Sequence, residues 1–202
     1  MSIEVKISKR PISYKTAIKF LQKRVEELKL KKGKELLWIL EHPLTYTAGI
    51  RSNDKEILDK KIKIIKTNRG GKITLHNPGQ KIIYFVLNLN KKKKDIKKIK
   101  NKNEKNIIKF LMIYKIKGKK DKKNIGIWVN KKKIAAIGLR ISKGRTYHGI
   151  SLNVDMDLTP FSLINPCGFE GLEVTQISDF DSNVTLEDVE SVAIKEMQRL
   201  FS

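Results

Sequence analysis

The chain holds one cysteine, Cys167, in the stretch INPCGFEG (164–171). A solitary thiol cannot close an internal disulfide, and the flanking Pro166 and Gly168 are turn formers. Free cysteines are commonly buried and inert, but a Pro-Cys-Gly loop offers no periodic apolar neighbours to bury the sulfur. The chemistry open to it is nucleophilic attack through a covalent intermediate. A free thiol has a pKa of about 8.5, so attack at neutral pH requires a cation or an oriented base beside it. Lys133 is a candidate for that partner. A turn lysine ordinarily faces solvent, yet Lys133 is the last of three adjacent lysines (131–133) and runs directly into the apolar stretch IAAIGLRI. That position draws it inward, where a lysine gives up its proton more readily and, while charged, favours a neighbouring thiolate.

A second polar cluster is NRGGKITLHNPGQ (68–80). Two consecutive glycines let backbone approach a ligand closely. Arg69 adds a fork for anionic or carbonyl groups, and His76 can donate or accept a proton. The alternative is a tight hairpin with an exposed arginine, and the run lacks the GxxxxGK[ST] pattern of a phosphate loop. His42, His76 and His148 are far apart in sequence, and no pair has zinc-ligand spacing. A lone cysteine cannot build a thiolate cage, so no metal site is expected.

The elements that must position these residues follow from apolar periodicity. SYKTAIKFLQKRVEELKL repeats at three and four, predicting an amphipathic helix with Ser13 as N-cap. Strands are expected over 36–40, through KIKIIKTNRGG until it breaks at the glycine pair, and over KIIYFVLNL. The lysine-rich run from 91 to 124 predicts a surface helix over about 91–112, with Ile96, Ile99, Ile107, Ile108, Leu111 and Met112 on one face. IGIWVNKKKIAAIGLRI reads as a hairpin, HGISLNVDMDL as a strand followed by a loop, and 185–201 as a helix with a Thr185/Asp188 capping box. Strands joined both by hairpins and across helices predict an α/β fold with a mixed or antiparallel sheet. With no repeat and no linker, residues 1–202 are expected to form a single domain.

A formal charge of +23 invites a nucleic-acid interpretation. However, lysine supplies 37 of the 44 basic residues, with neither arginine forks nor interleaved aromatic platforms, so no nucleic acid is expected. An acidic protein partner would profit from the same field. No run reaches the roughly 20 apolar residues of a membrane span, and the first residues lack an apolar signal region. Together with the single cysteine, this predicts a cytoplasmic protein with no membrane association.

The runs LEHPLTYTAG (40–49), RGGKITLHNPGQKIIYFVLNL (69–89), KIAAIGLRI (133–141) and HGISLNVDMDLTPFSLINPCGFEGLEVTQI (148–177), kept in this order, resemble those of the lipoyl(octanoyl) transferases. The resemblance implies a biotin/lipoate-ligase-like α/β fold and a catalytic pair, Cys167 with Lys133. It implies an acyl pocket formed by Arg69, Gly70, Gly71, Lys72, Ile73, Thr74, Leu75 and His76, by Ala136, Ile137 and Gly138, and by Gly149, Ile150 and Ser151. The implied reaction moves octanoyl from octanoyl-acyl carrier protein to a lysine of lipoyl domains, those of 2-oxoacid dehydrogenases and the glycine cleavage H protein. It proceeds through an acyl-cysteine without cofactor or ATP. Backbone amides near Gly168 or in Arg69–Gly71 would face the oxyanion. Two positions depart from the family pattern: Leu75 replaces an aromatic residue and Asn77 a glycine. The competing expectations are a lipoyl-domain-to-lipoyl-domain amidotransferase, an ATP-dependent lipoate or biotin ligase, and a non-enzymatic basic binding module.

Overall fold

A computed structural model describes residues 3–91, 96–121 and 124–201. The elements are β1 (Glu4–Ile7), α1 (Tyr14–Lys29), β2 (Leu36–Leu40), β3 (Thr45–Ala48), β4 (Ile64–Lys66), β5 (Ile73–His76), β6 (Gln80–Val86), α2 (Ile96–Ile113), β7 (Lys119–Lys120), β8 (Ile127–Val129), β9 (Lys132–Ser142), β10 (Arg145–Asn153) and α3 (Leu186–Phe201).

Seven strands form one mixed sheet in the order β1-β2-β6-β10-β9-β8-β7. β1 and β2, connected through α1, run parallel, and the other pairings are antiparallel. Parallel neighbours need a crossover, whereas antiparallel ones need only a turn. The two faces of β2 and β6 are both covered, and strand alternation sorts their side chains. Leu36, Trp38, Leu40, Ile82, Tyr84 and Val86 pack under the Ala17, Leu21, Val25 and Leu28 stripe of α1. Leu37, Ile39, Ile83 and Phe85 face the other way, onto Ile107, Phe110 and Leu111 of α2 and Val189 and Ala193 of α3. Fully burying each such side chain contributes about 1.5–3 kcal/mol. Ser13 Oγ accepts from the Thr16 amide at 3.3 Å, capping α1. Thr185 and Asp188 bond reciprocally at 3.0 and 3.1 Å.

The structure departs from the sequence pattern in several places. The strand expected through 61–71 contracts to Ile64–Lys66, and β5 emerges inside the polar run 68–80, where no strand was expected. With β3 they form a second sheet, β4-β3-β5, which packs Tyr46, Ile73 and Leu75 on Met156, Phe161 and Ile164. β1 had no periodic signature at four residues. β10 begins at Arg145 and ends at Asn153, earlier at both ends than HGISLNVDMDL suggests. Met112 is exposed, outside the buried face of α2 that holds Ile99, Ile107 and Leu111. Residues 92–95 and 122–123 of the lysine-rich run, and the side chain of Ile96, lie outside the described residues. Among the described residues, no helix is long and apolar enough to cross a membrane.

Candidate functional site

β8 and β9 are joined by Asn130 and Lys131, with φ of 48° and 67°, the left-handed pair of a tight hairpin turn. Register slips at Ile127/Trp128, and such a bulge re-aims the side chains beside it. Lys133, opposite Trp128, is 5% exposed. Its route inward requires glycine at 126: a Cβ there, at φ 142°, would lie 2.5 Å from Lys133 Cε. Nζ donates to the Ile125 carbonyl at 2.9 Å and to Cys167 Sγ at 2.9 Å, and it lies 5.4 Å from the Trp128 ring centre.

Cys167 occupies a left-handed turn, φ 59° and ψ 11°, which is uncommon for a residue with a side chain. Gly168 follows at φ 73°, and its amide donates to the Asn165 carbonyl at 2.9 Å. Beyond the turn the chain returns along β9. The Lys133 amide donates to Glu173 O at 2.9 Å, and the Thr175 amide donates to Lys133 O at 3.0 Å. Thus one short parallel bridge, Lys133 with Val174, ties the thiol loop to the strand that carries the ammonium.

The pair opens onto a cavity of about 210 Å³. Arg69 to Thr74, His76, Ala136 to Gly138 and Gly149 to Ser151 line it together with Cys167 and Lys133. Leu75 does not. On β5 it points opposite to Thr74 and His76, and it is fully buried in the core of the second sheet. The exposed-arginine alternative for 68–80 fails as well. Arg69 is buried, with Nη2 donating to Thr47 O at 2.8 Å and Thr47 Oγ1 at 2.9 Å, and Nη1 to Gly70 O at 3.1 Å. Among the amides that could face an oxyanion, that of Gly168 is engaged at Asn165 and that of Gly70 at Leu139 O.

Tyr14, Tyr84, Ile125, Arg51 and Phe169 also line the cavity, and none stood out as a site residue in the sequence. Tyr14 shows only the helical spacing of a core position. The three histidines, distant in sequence, meet here: the His42 and His76 rings are 5.5 Å apart, and Tyr84 lies 5.7 Å from His42 and 6.2 Å from His148. Burial holds all three as neutral imidazoles, His42 at about 4 and His148 at about 3, with His76 well below its ordinary value. His76 and His148 are therefore uncharged walls of the cavity at neutral pH, with His42 packed against His76 behind them. His76 Nδ1 contacts Gln80 Oε1 at 2.8 Å, Gln80 Nε2 donates to Asn153 Oδ1 at 2.9 Å, and Asn153 Nδ2 donates to Thr175 O at 2.9 Å. This buried chain links the histidine wall to the segment bridged to Lys133. Among the described residues, no group of three or more His, Cys, Asp or Glu is arranged to hold a metal ion.

What the arrangement offers chemically is a thiol next to an ammonium at the wall of a pocket whose lining contains no carboxylate. Known proteins share its frame. The lipoyl protein ligase A/B catalytic domain family matches residues 13–198. An octanoyltransferase from Wolbachia sp. subsp. Brugia malayi is 41% identical over 98% of this chain and 100% of its own length. One from Buchnera aphidicola subsp. Acyrthosiphon pisum is 44% identical over 82% of this chain and 79% of its own. The fold is that of a lipoate-protein ligase A crystal structure bound with ATP, with TM-score 0.77 and 16% identity, covering 97% of this chain and 85% of that one. A biotin protein ligase from Aquifex aeolicus superposes more loosely, with TM-score 0.57 and 15% identity, covering 98% and 68%. Identity of this extent over nearly the whole chain, on that fold, places the protein in the octanoyltransferase family of acyltransferases.

Proposed function

We propose that this chain, acting over residues 1–202 as one catalytic unit, transfers octanoyl from octanoyl-acyl carrier protein to the acceptor lysine of lipoyl domains. The acceptors are those of 2-oxoacid dehydrogenases and the glycine cleavage H protein, in the cytoplasm. The observation that carries the proposal is the 2.9 Å contact between Lys133 Nζ and Cys167 Sγ on the wall of the cavity. An ammonium donating to sulfur stabilises the thiolate, the form that attacks. The thiolate adds to the donor's thioester carbonyl, and the tetrahedral adduct collapses with loss of the carrier thiolate, which takes a proton from Lys133. The acyl group then sits on Cys167 as a thioester with its chain in the cavity. The acceptor amine adds to that thioester, giving up a proton to Lys133. Breakage of the C–S bond leaves an amide and regenerates the thiolate–ammonium pair. One thioester is exchanged for another before the amide forms, so no ATP is consumed. The cationic surface speeds encounter with an acidic carrier, an effect that fades with salt.

Intact-mass analysis after mixing with octanoyl-acyl carrier protein tests the scheme. The wild type should gain one octanoyl group, and Cys167→Ala should gain none. Lys133→Met should keep the fold and lose transfer by about a hundredfold, the worth of a charge-assisted hydrogen bond at a reacting atom. Transfer from free octanoate with ATP, but without an adduct on Cys167, would assign the site to ligase chemistry. Preference for an octanoylated lipoyl domain as donor would assign it to amidotransfer.

A further inference from the structure

The Cys167 turn is strained in a way that needs an explanation. A residue with a Cβ is held left-handed, and such conformations persist only where the surroundings over-determine them. Lys133 contributes one contact, but it comes from the far side of a loop whose own first residues are anchored elsewhere. That anchor is Glu56. It lies at the end of a single 3-10 turn, Asp54–Glu56, and its carbonyl accepts the Asn165 amide at 2.7 Å. Ile57 bridges Ile164, and the Leu58 amide donates to Leu163 O at 3.0 Å. The segment after Glu56 thus runs alongside the approach to the thiol.

The Glu56 side chain is 5% exposed. Its Oε2 accepts the Ile73 amide at 3.1 Å, and its Oε1 lies 3.1 Å from Lys72 Nζ. A buried carboxylate without a cation is costly, so Lys72 is held in place although its side chain is 40% exposed. The pair lies directly on the glycine after the nucleophile: a Cβ on Gly168 would be 2.2 Å from Lys72 Nζ and 2.7 Å from Glu56 Oε1. Neither residue has a part in the acyl-transfer steps above, and Lys72 shares the cavity wall with Cys167.

We infer that the Glu56–Lys72 ion pair is a positioning clamp. It covers the Cys167–Gly168 turn, ties it to the start of β5 through Ile73, and thereby keeps the thiol within reach of Lys133. The inference rests on Cys167 being the nucleophile. Without its carboxylate partner Lys72 swings to solvent, the turn loses one of its constraints, and the sulfur samples positions away from the ammonium. Small misplacements of a reacting atom cost rate rather than affinity.

The test uses the full chain carrying Glu56→Gln, Lys72→Met, both together, or Lys72→Arg. Two rates are measured at pH 7: alkylation of Cys167 by iodoacetamide, and octanoyl transfer with kcat and KM for the donor. Each single loss should lower alkylation and kcat by about tenfold, with KM changed less than about twofold. The double variant should be no worse than either single one, because both remove the same clamp. Lys72→Arg, which restores the ion pair, should recover most of the rate. Alkylation within twofold of wild type in well-folded Glu56→Gln and Lys72→Met overturns the inference, as do losses that multiply in the double variant. A raised KM at unchanged kcat makes Lys72 a donor contact and also overturns it. If Glu56→Gln does not fold, the Lys72 variants decide by the same criteria. Absence of an octanoyl adduct on wild-type Cys167 would instead refute the acyl-enzyme scheme, and the alkylation rates would still judge the clamp.

Discussion

Mild acid should unfold this protein, and its three histidines set the pH at which that happens. All three are buried. His42 has its Nδ1 at the Ile12 carbonyl and its Nε2 at the Tyr84 hydroxyl, 2.8 Å away. The carbonyl can only accept, so the ring proton is on Nδ1 and Nε2 accepts from the phenol. Protonating Nε2 would take away that acceptor and place a charge on a buried ring. Burial therefore holds His42 at about 4 and His148 at about 3, against 6.5 for the free side chain, and it pushes His76 well below 6.5. The unfolded chain titrates near the free value. As pH falls through 6.5, the unfolded state takes up protons that the folded state refuses. The stabilisation is whole above that pH and is lost progressively toward the folded values. Each pH unit costs about 1.4 kcal/mol per histidine. Between pH 8 and 5, His42 alone removes about 2 kcal/mol and His42 with His148 about 4, to which His76 adds in the same direction. That is comparable with the roughly 5–15 kcal/mol total stability of a domain. Urea unfolding followed by tryptophan fluorescence from pH 8 to 5 measures it. His42→Gln should be less stable at pH 7, but its further loss on going to pH 5 should be smaller by about 2 kcal/mol. Equal losses in the variant and the wild type would refute the assignment of a neutral buried imidazole.

Two further outcomes follow from packing and pairing. Ala136 lines the cavity three residues beyond Lys133 on β9, so Ala136→Leu should shift donor preference from octanoyl toward hexanoyl by about tenfold or more, given about 0.8 kcal/mol per buried methylene; an unchanged ratio of kcat/KM values would mean that the acyl chain does not pass this residue. Lys81 is 4% exposed in β6 and pairs with Glu41 at 3.0 Å and Glu190 at 3.2 Å. Lys81→Met should cost about 3–5 kcal/mol in urea unfolding by stranding Glu41 and leaving Glu190 only the exposed Lys9, and adding Glu190→Gln should return part of it. No recovery in the double variant would show that the loss comes from packing alone.

Local chemistry was readable from the chain in order. Proline and glycine around Cys167 put it in a turn, the apolar stretch after Lys133 drew that lysine inward, and the spacing in 13–30 built α1, because each depends on neighbours a few residues away. The four motifs named the family and its pocket lining for the same reason. What depended on distant partners was not readable. Strands of three or four residues carry too few positions to show a period, so β1 and the second sheet went unseen, and with them the side to which Leu75 points. Arg69 could equally have been an exposed turn residue, and only Thr47 on β3 decides that it is buried. The three histidines are 34 and 72 residues apart in sequence, and a sheet is needed to bring them into one buried cluster. The sequence by itself determined that a thiol with a lysine partner belongs to this chain. Tertiary structure alone decided how that thiol is held: the ammonium of Lys133, 34 positions away, donates to the sulfur, and the Glu56 carbonyl accepts the amide of Asn165 at the start of the turn, both brought to it by folding.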